Sequence, residues 1–115
     1  MDKTNMRTSK DSALTSITLS IVVPVYNEED VLLNFHARLV RVMRGLGDTF
    51  EIIYVNDGSR DHSLEVLKDL CVEDHVVSCI DLSRNFGKEC AMTAGLDYSR
   101  GDAVVVIDAD LQDPP

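Results

Sequence analysis

The sequence predicts an α/β domain, a parallel sheet with helices alternating between its strands. Two observations point there. Four short β-branched runs, Leu19–Val25, Glu51–Asn56, Val76–Leu82 and Ala103–Asp108, are near-continuous in Val and Ile rather than strictly alternating. That pattern fits strands covered on both faces. Helical periodicities lie between the runs, and a β-α-β-α-β-α-β order at roughly 25–30 residues per unit calls for right-handed crossovers in one sheet.

The elements follow in order. Residues 1–16 are rich in Thr, Ser, Lys and Asp without apolar periodicity, and read as a flexible tail lacking the apolar core of a secretory signal. The domain is expected over 17–115. In the first helix, Asp30 to Leu46, residues Leu32, Phe35, Leu39, Val42, Met43 and Leu46 form one apolar stripe, with Gly45 and Gly47 at its end. Leu64, Leu67, Leu70 and Cys71 do the same for a shorter helix with Asp61 as N-cap. The third helix, Lys88 to Ser99, presents Ala91, Ala94, Gly95 and Tyr98, small enough for the most part to lie close to the sheet. The sequence stops at Asp113-Pro114-Pro115, just past a strand and without a closing helix, so it reads as the truncated front part of a larger domain.

Composition narrows the function classes. The chain has 115 residues, 44% hydrophobic and 27% charged, which suits one soluble globular unit. Its formal net charge is −9. The excess sits beyond residue 50, where fourteen acids face five bases. Such a surface repels phosphate backbones, so nucleic-acid partners are excluded. Cys71, Cys79 and Cys90 have no metal-ligand spacing and are expected to be reduced, buried and small-hydrophobe-like. His36, His62 and His75 read as bystanders. No apolar run approaches the roughly 20 residues that span a bilayer.

In an open parallel sheet, ligands bind beyond the carboxyl ends of the strands. All four ends here carry polar chemistry: Pro24-Val25-Tyr26-Asn27-Glu28-Glu29, Asn56-Asp57-Gly58-Ser59, Ser83-Arg84-Asn85 and Asp108-Ala109-Asp110-Leu111-Gln112-Asp113. Each alone suits a turn; four in one chain point to a site. Asp108 and Asp110, alternate residues after an apolar strand, offer two carboxylates to Mg²⁺ or Mn²⁺, with Gln112 as a neutral oxygen. Asp57 is placed to accept hydrogen bonds from a ribose or base, and Tyr26 to stack on a base. Arg84 and Lys88 flank the third helix's start and can face a diphosphate, although solvated surface charge is the commoner role for Lys88. The glycine-rich dinucleotide and P-loop motifs are absent.

Together, Val22-Val23-Pro24-Val25-Tyr26-Asn27-Glu28, Val55-Asn56-Asp57-Gly58-Ser59, Leu82-Ser83-Arg84-Asn85-Phe86-Gly87-Lys88-Glu89 and Asp108-Ala109-Asp110-Leu111-Gln112-Asp113-Pro114-Pro115 resemble a family-2 glycosyltransferase of the nucleotide-diphospho-sugar (GT-A, Rossmann-like) fold. The last two segments are similar to the dolichyl-phosphate mannose synthase branch, and within it to bacterial polyprenyl-phosphate glycosyltransferases. The resemblance implies that Pro24, Tyr26, Glu28, Val55 and Asp57 line a nucleoside pocket. It implies that Asp108, Ala109 and Asp110 touch the nucleotide-sugar and that Asp110 and Gln112 ligate Mg²⁺ or Mn²⁺.

The implied reaction transfers a sugar with inversion to a polyprenyl phosphate, undecaprenyl or dolichyl, at the cytoplasmic side of the membrane. UDP-glucose is the favoured donor and GDP-mannose the second. The family's base and acceptor elements lie downstream, so no catalytic residue is expected here and the 115 residues alone are expected to be inactive. A homo-oligomer is compatible with this reading. The alternative within the family is a soluble enzyme acting on a saccharide acceptor. A receiver-type signalling module is the competing class: Glu28-Glu29 mimics its acidic pair, but strand three ends in Asp81-Leu82-Ser83 and no fifth strand or Lys follows.

Overall fold

The computed structural model describes residues 16–109. The expected tail falls almost wholly outside the described residues, as do Asp110 and Gln112. The order is β1 (Leu19–Val25), α1 (Leu32–Leu46), β2 (Phe50–Asn56), α2 (Ser63–Glu73), β3 (Val77–Asp81), α3 (Lys88–Tyr98) and β4 (Ala103–Val106). The strands form one parallel sheet in the order β3-β2-β1-β4. The expected α/β architecture is therefore the observed one.

β1 and β2 hold the centre, and their Val and Ile residues are buried on both faces. One face packs Ile21, Val23, Ile52 and Tyr54 against Leu32, Phe35, Leu39 and Met43 of α1 and Leu67 and Leu70 of α2. The other packs Val22, Ile53, Val55 and Ile80 against Ala91 and Ala94 of α3. The small residues of α3 act as expected: a methyl added at Gly95 would run into Cγ1 of Val22.

Several expectations need correction. Val42 and Leu46 are both 60% exposed, while His36 and Val40 take their places in the buried stripe. At about 100° per residue, Val42 falls on the shoulder of the stripe that Leu32, His36, Leu39 and Met43 define. Asp61 is not the N-cap of α2; His62 holds that position, and Asp61 Oδ1 accepts the Ser63 N–H from one residue earlier at 2.9 Å. Cys90 is exposed and Cys71 and Cys79 are only half-buried, because α3 turns Ala91 and Gly95, not Cys90, onto the sheet. β4 ends at Val106, and its Val104 and Val105 remain 36% and 42% exposed. Among the described residues β4 pairs only with β1, so an edge position overrides its apolar sequence.

His36 is no bystander in the core. Its Nδ1 lies 2.7 Å from the hydroxyl of fully buried Tyr54, and its Nε2 lies 3.6 Å from Asp74 Oδ2. Burial lowers the His36 pKa and outweighs the opposing pull of Asp74; burial also pushes the Tyr54 phenol up, so it stays a donor.

The folded state thus excludes a proton that the unfolded chain binds near the ordinary value of 6.5. The contribution of His36 is complete above that value and is lost as pH falls towards the lowered folded-state pKa. Thermal melts from about pH 7.5 down to about pH 5.5 should show a falling Tm, and His36→Gln should flatten that slope. An unchanged slope in the variant would assign the acid sensitivity to other groups. Gly95→Val should cost about 1–3 kcal/mol by overpacking against Val22, read as a lower denaturant midpoint.

Candidate functional site

The strand order fixes where a site can form. The chain steps from β1 to β2 to β3 on one side, then α3 carries it back so that β4 lies on the other side of β1. This reversal of strand order at β1 is where an open crevice forms, beyond the carboxyl ends of β1 and β4. A cleft of about 230 Å³ lies there, lined by Pro24, Val25, Tyr26, Glu28, Asp57, Lys88 and Asp108.

Five of the residues singled out in the sequence thus converge: Pro24, Tyr26, Glu28, Asp57 and Asp108. Val55 and Ala109 are fully buried in the core beneath and do not line the cleft. Asp110 and Gln112 lie outside the described residues.

Backbone constraints set these positions. The Asp57 N–H donates to the Val25 carbonyl at 2.8 Å, extending the β1–β2 pairing into the loops. Gly58 has φ +72°, and a Cβ there would strike the backbone of Arg84 and Asn85, so only glycine lets the two loops meet. The buried Asp57 carboxylate spans the junction. Its Oδ1 accepts the Phe86 N–H at 2.8 Å and its Oδ2 the Gly87 N–H at 3.1 Å.

Those two amides precede α3, whose first turn begins at Lys88. Arg84 departs from expectation: its guanidinium lies 4.8 Å over the Phe86 ring and does not line the cleft.

Lys88 is what the sequence reading undervalued. As the first residue of α3 it faces the cleft, and its Nζ lies 2.7 Å from Asp108 Oδ1 at the end of β4. Its position after Gly87, at a helix start beside a strand end, was the available signal. The cleft thus carries three carboxylates, Glu28, Asp57 and Asp108, and one ammonium. Oxygen donors of this kind suit Mg²⁺ or Mn²⁺. Among the described residues, however, no three His, Cys, Asp or Glu side chains come close enough to hold an ion.

Comparison with known proteins fits this geometry. The sequence profile described as Glycosyl transferase family 2 matches residues 20–115. The chain belongs to glycosyl transferase family 2. It is 55% identical over 100 residues to the uncharacterized glycosyltransferase sll0501 of Synechocystis, covering 87% of this chain and 31% of that protein. It is 47% identical to an undecaprenyl-phosphate 4-deoxy-4-formamido-L-arabinose transferase of Pseudomonas paraeruginosa, covering 84% of this chain and 29% of that protein. With the bactoprenol glucosyl transferase of Shigella phage SfV the identity is 46%, over 84% and 31%. The chain thus spans about 30% of the length of the curated relatives it matches.

Among solved structures, the mannosyltransferase PcManGT of Pyrobaculum calidifontis, in complex with GDP-Man and Mn²⁺, superimposes with a TM-score of 0.66. The identity is 20%, over 87% of this chain and 34% of that one. The family-2 chain has the GT-A fold that its sequence implied.

Asp57→Asn tests the junction in this family member. An amide can present only one oxygen to the two N–H groups, so the variant should lose about 1–3 kcal/mol, read in denaturant melts without ligand. An unchanged midpoint would remove Asp57 as the tie between β2 and α3.

Proposed function

We propose that the complete enzyme transfers a sugar, with inversion, from a nucleotide-diphospho-sugar to a polyprenyl phosphate, and that residues 17–115 form its nucleotide-sugar-binding part. The observation that carries this reading is the convergence of Tyr26, Asp57, Lys88 and Asp108 on one cleft at the switch point of the sheet. Tyr26 stacks on the base and Asp57 accepts from the base or ribose with lone pairs left over from its two backbone partners. Pro24 and Glu28 shape the nucleoside end, and Val55 and Ala109 support the site from the core without lining it. Lys88 faces the diphosphate.

Asp110 and Gln112 would hold a divalent ion, Mg²⁺ or Mn²⁺, which would neutralise charge on the departing nucleoside diphosphate. The PcManGT complex with Mn²⁺ supports that choice of ion. The acceptor attacks the anomeric carbon from the face opposite the departing diphosphate. A lipid phosphate is already anionic and needs little help from a base.

The acceptor class is supported by the names of the undecaprenyl-phosphate and bactoprenol relatives. The glucosyl relative favours UDP-glucose as donor, and the complex with GDP-Man keeps GDP-mannose as the second choice. The reaction belongs to the cytoplasmic membrane face and to glycan synthesis of the cell envelope. No helix among the described residues is long and apolar enough to cross a membrane.

UDP or GDP with Mn²⁺ should raise the Tm, as a native-state ligand does. Asp110→Asn should remove the Mn²⁺-dependent part of the shift, and Lys88→Ala should weaken nucleotide affinity by about tenfold, the loss of one charge-assisted contact. An equal Tm shift in EDTA would overturn the metal assignment. Purified residues 1–115 should show no transfer, because the acceptor must also be positioned. With the complete enzyme, labelled UDP-glucose, Mg²⁺ and undecaprenyl phosphate, label should enter the organic phase. Label found only in a water-soluble glycan would favour the saccharide acceptor instead.

A further inference from the structure

Asn27 is the one non-glycine among the described residues with a left-handed backbone, at φ +53°. It stands between Tyr26 and Glu28, two residues that line the cleft, and does not line the cleft itself. Its Oδ1 accepts the Arg60 N–H at 2.7 Å and the Asp61 N–H at 3.3 Å, and its own N–H donates to Ser59 Oγ at 2.9 Å. A residue in a costly conformation is thus bound on both its backbone and its side chain to the loop after β2.

The neighbouring bonds run the same way. The Glu28 N–H donates to Ser63 Oγ at 2.8 Å, and the Glu29 N–H to Asp61 Oδ2 at 3.2 Å. Glu29 Oε1 in return accepts the His62 N–H at 2.7 Å. The turn at Asn27 ends β1 and folds Glu28 back, bringing its Oε1 within 3.4 Å of the Tyr26 amide. Extended backbone at this position would carry the chain onward past the cleft. Asparagine suits both demands, because it tolerates the left-handed region and carries a side-chain acceptor.

We propose that Asn27 is a positioning residue for nucleotide binding: it locks the loop after β1 to the loop after β2, and so holds Tyr26 and Glu28 on the cleft. This rests on reading the cleft as a nucleotide site. Three variants of the complete protein separate its two properties. Asn27→Asp keeps the acceptor oxygen, Asn27→Gly keeps the backbone conformation but loses the acceptor, and Asn27→Ala loses both.

Affinity for UDP and for GDP with Mn²⁺, measured well below each Tm, should fall about tenfold in Asn27→Gly, as loss of one or two such bonds predicts. It should fall further in Asn27→Ala and be largely kept in Asn27→Asp. Amide hydrogen exchange should quicken in Asn27→Gly over residues 26–30 and 59–63 together. Wild-type affinity in a folded Asn27→Gly, or faster exchange confined to 26–30, would overturn the proposal. If the wild type binds neither nucleotide, the nucleotide reading of the cleft falls, while the exchange pattern still decides whether Asn27 locks the two loops.

Discussion

One buried carboxylate couples the two halves of this fold. Asp57 leaves the end of β2 with its N–H on the Val25 carbonyl and its two oxygens on the amides of Phe86 and Gly87. Through the first bond it belongs to the β1–β2 pair; through the others it fixes where α3 begins. The start of α3 fixes Lys88, and Lys88 reaches Asp108 at the end of β4. Three loops from distant parts of the chain are thereby referred to one side chain. Removing an acceptor there leaves one of two part-buried amides without its partner.

The exposed edge strand is held by its ends. At the amino end, the buried carboxylate of Glu51 accepts from the Ser20 hydroxyl at 2.6 Å and from the Arg100 N–H at 2.7 Å, while Ser20 Oγ accepts the Gly101 N–H at 2.8 Å. At the carboxyl end, the Ile107 N–H donates to the Val22 carbonyl at 3.0 Å, and Asp108 meets Lys88. Between these anchors Val104 and Val105 contribute pairing to β1 but little burial. The register of β4, and with it the position of Asp108 on the cleft, is set by polar bonds at both ends more than by packing along the strand.

What the sequence made legible follows from where local signals suffice. β1 was read to the residue, because its apolar run is bounded by Thr18 and by Tyr26-Asn27, and its burial on both faces follows from a central place in the sheet. Pro24, Tyr26, Glu28, Asp57 and Asp108 were legible as strand-end residues, since topology alone brings such ends together. Burial of β4 was not legible, because four apolar residues look alike at an edge and at a centre. The buried contact of His36 was not legible because its partner, Tyr54, is on another element, and Lys88 was undervalued because an ion pair across the chain leaves no local pattern. Asn27 lay inside a recognised segment, but its left-handed backbone is a property of the two joined loops and not of its neighbours in sequence.

The charges of the cleft impose a final constraint on anything anionic that enters it. Three carboxylates and one ammonium leave a formal excess of two negative charges within the lining. The Phe86 and Gly87 amides before α3 are both taken by Asp57. A diphosphate placed against this lining meets net repulsion, screened by solvent at Lys88 and Asp108, which are both more than half exposed. Lys88 can offset one charge by turning from Asp108 to the ligand, but that leaves Asp108 without its partner. On the proposed reading, a divalent cation would resolve both problems at once, since it would satisfy Asp108 and neutralise the diphosphate. The Lys88–Asp108 pair therefore leads to the expectation that nucleotide and metal bind interdependently, each raising the affinity of the other by the same factor.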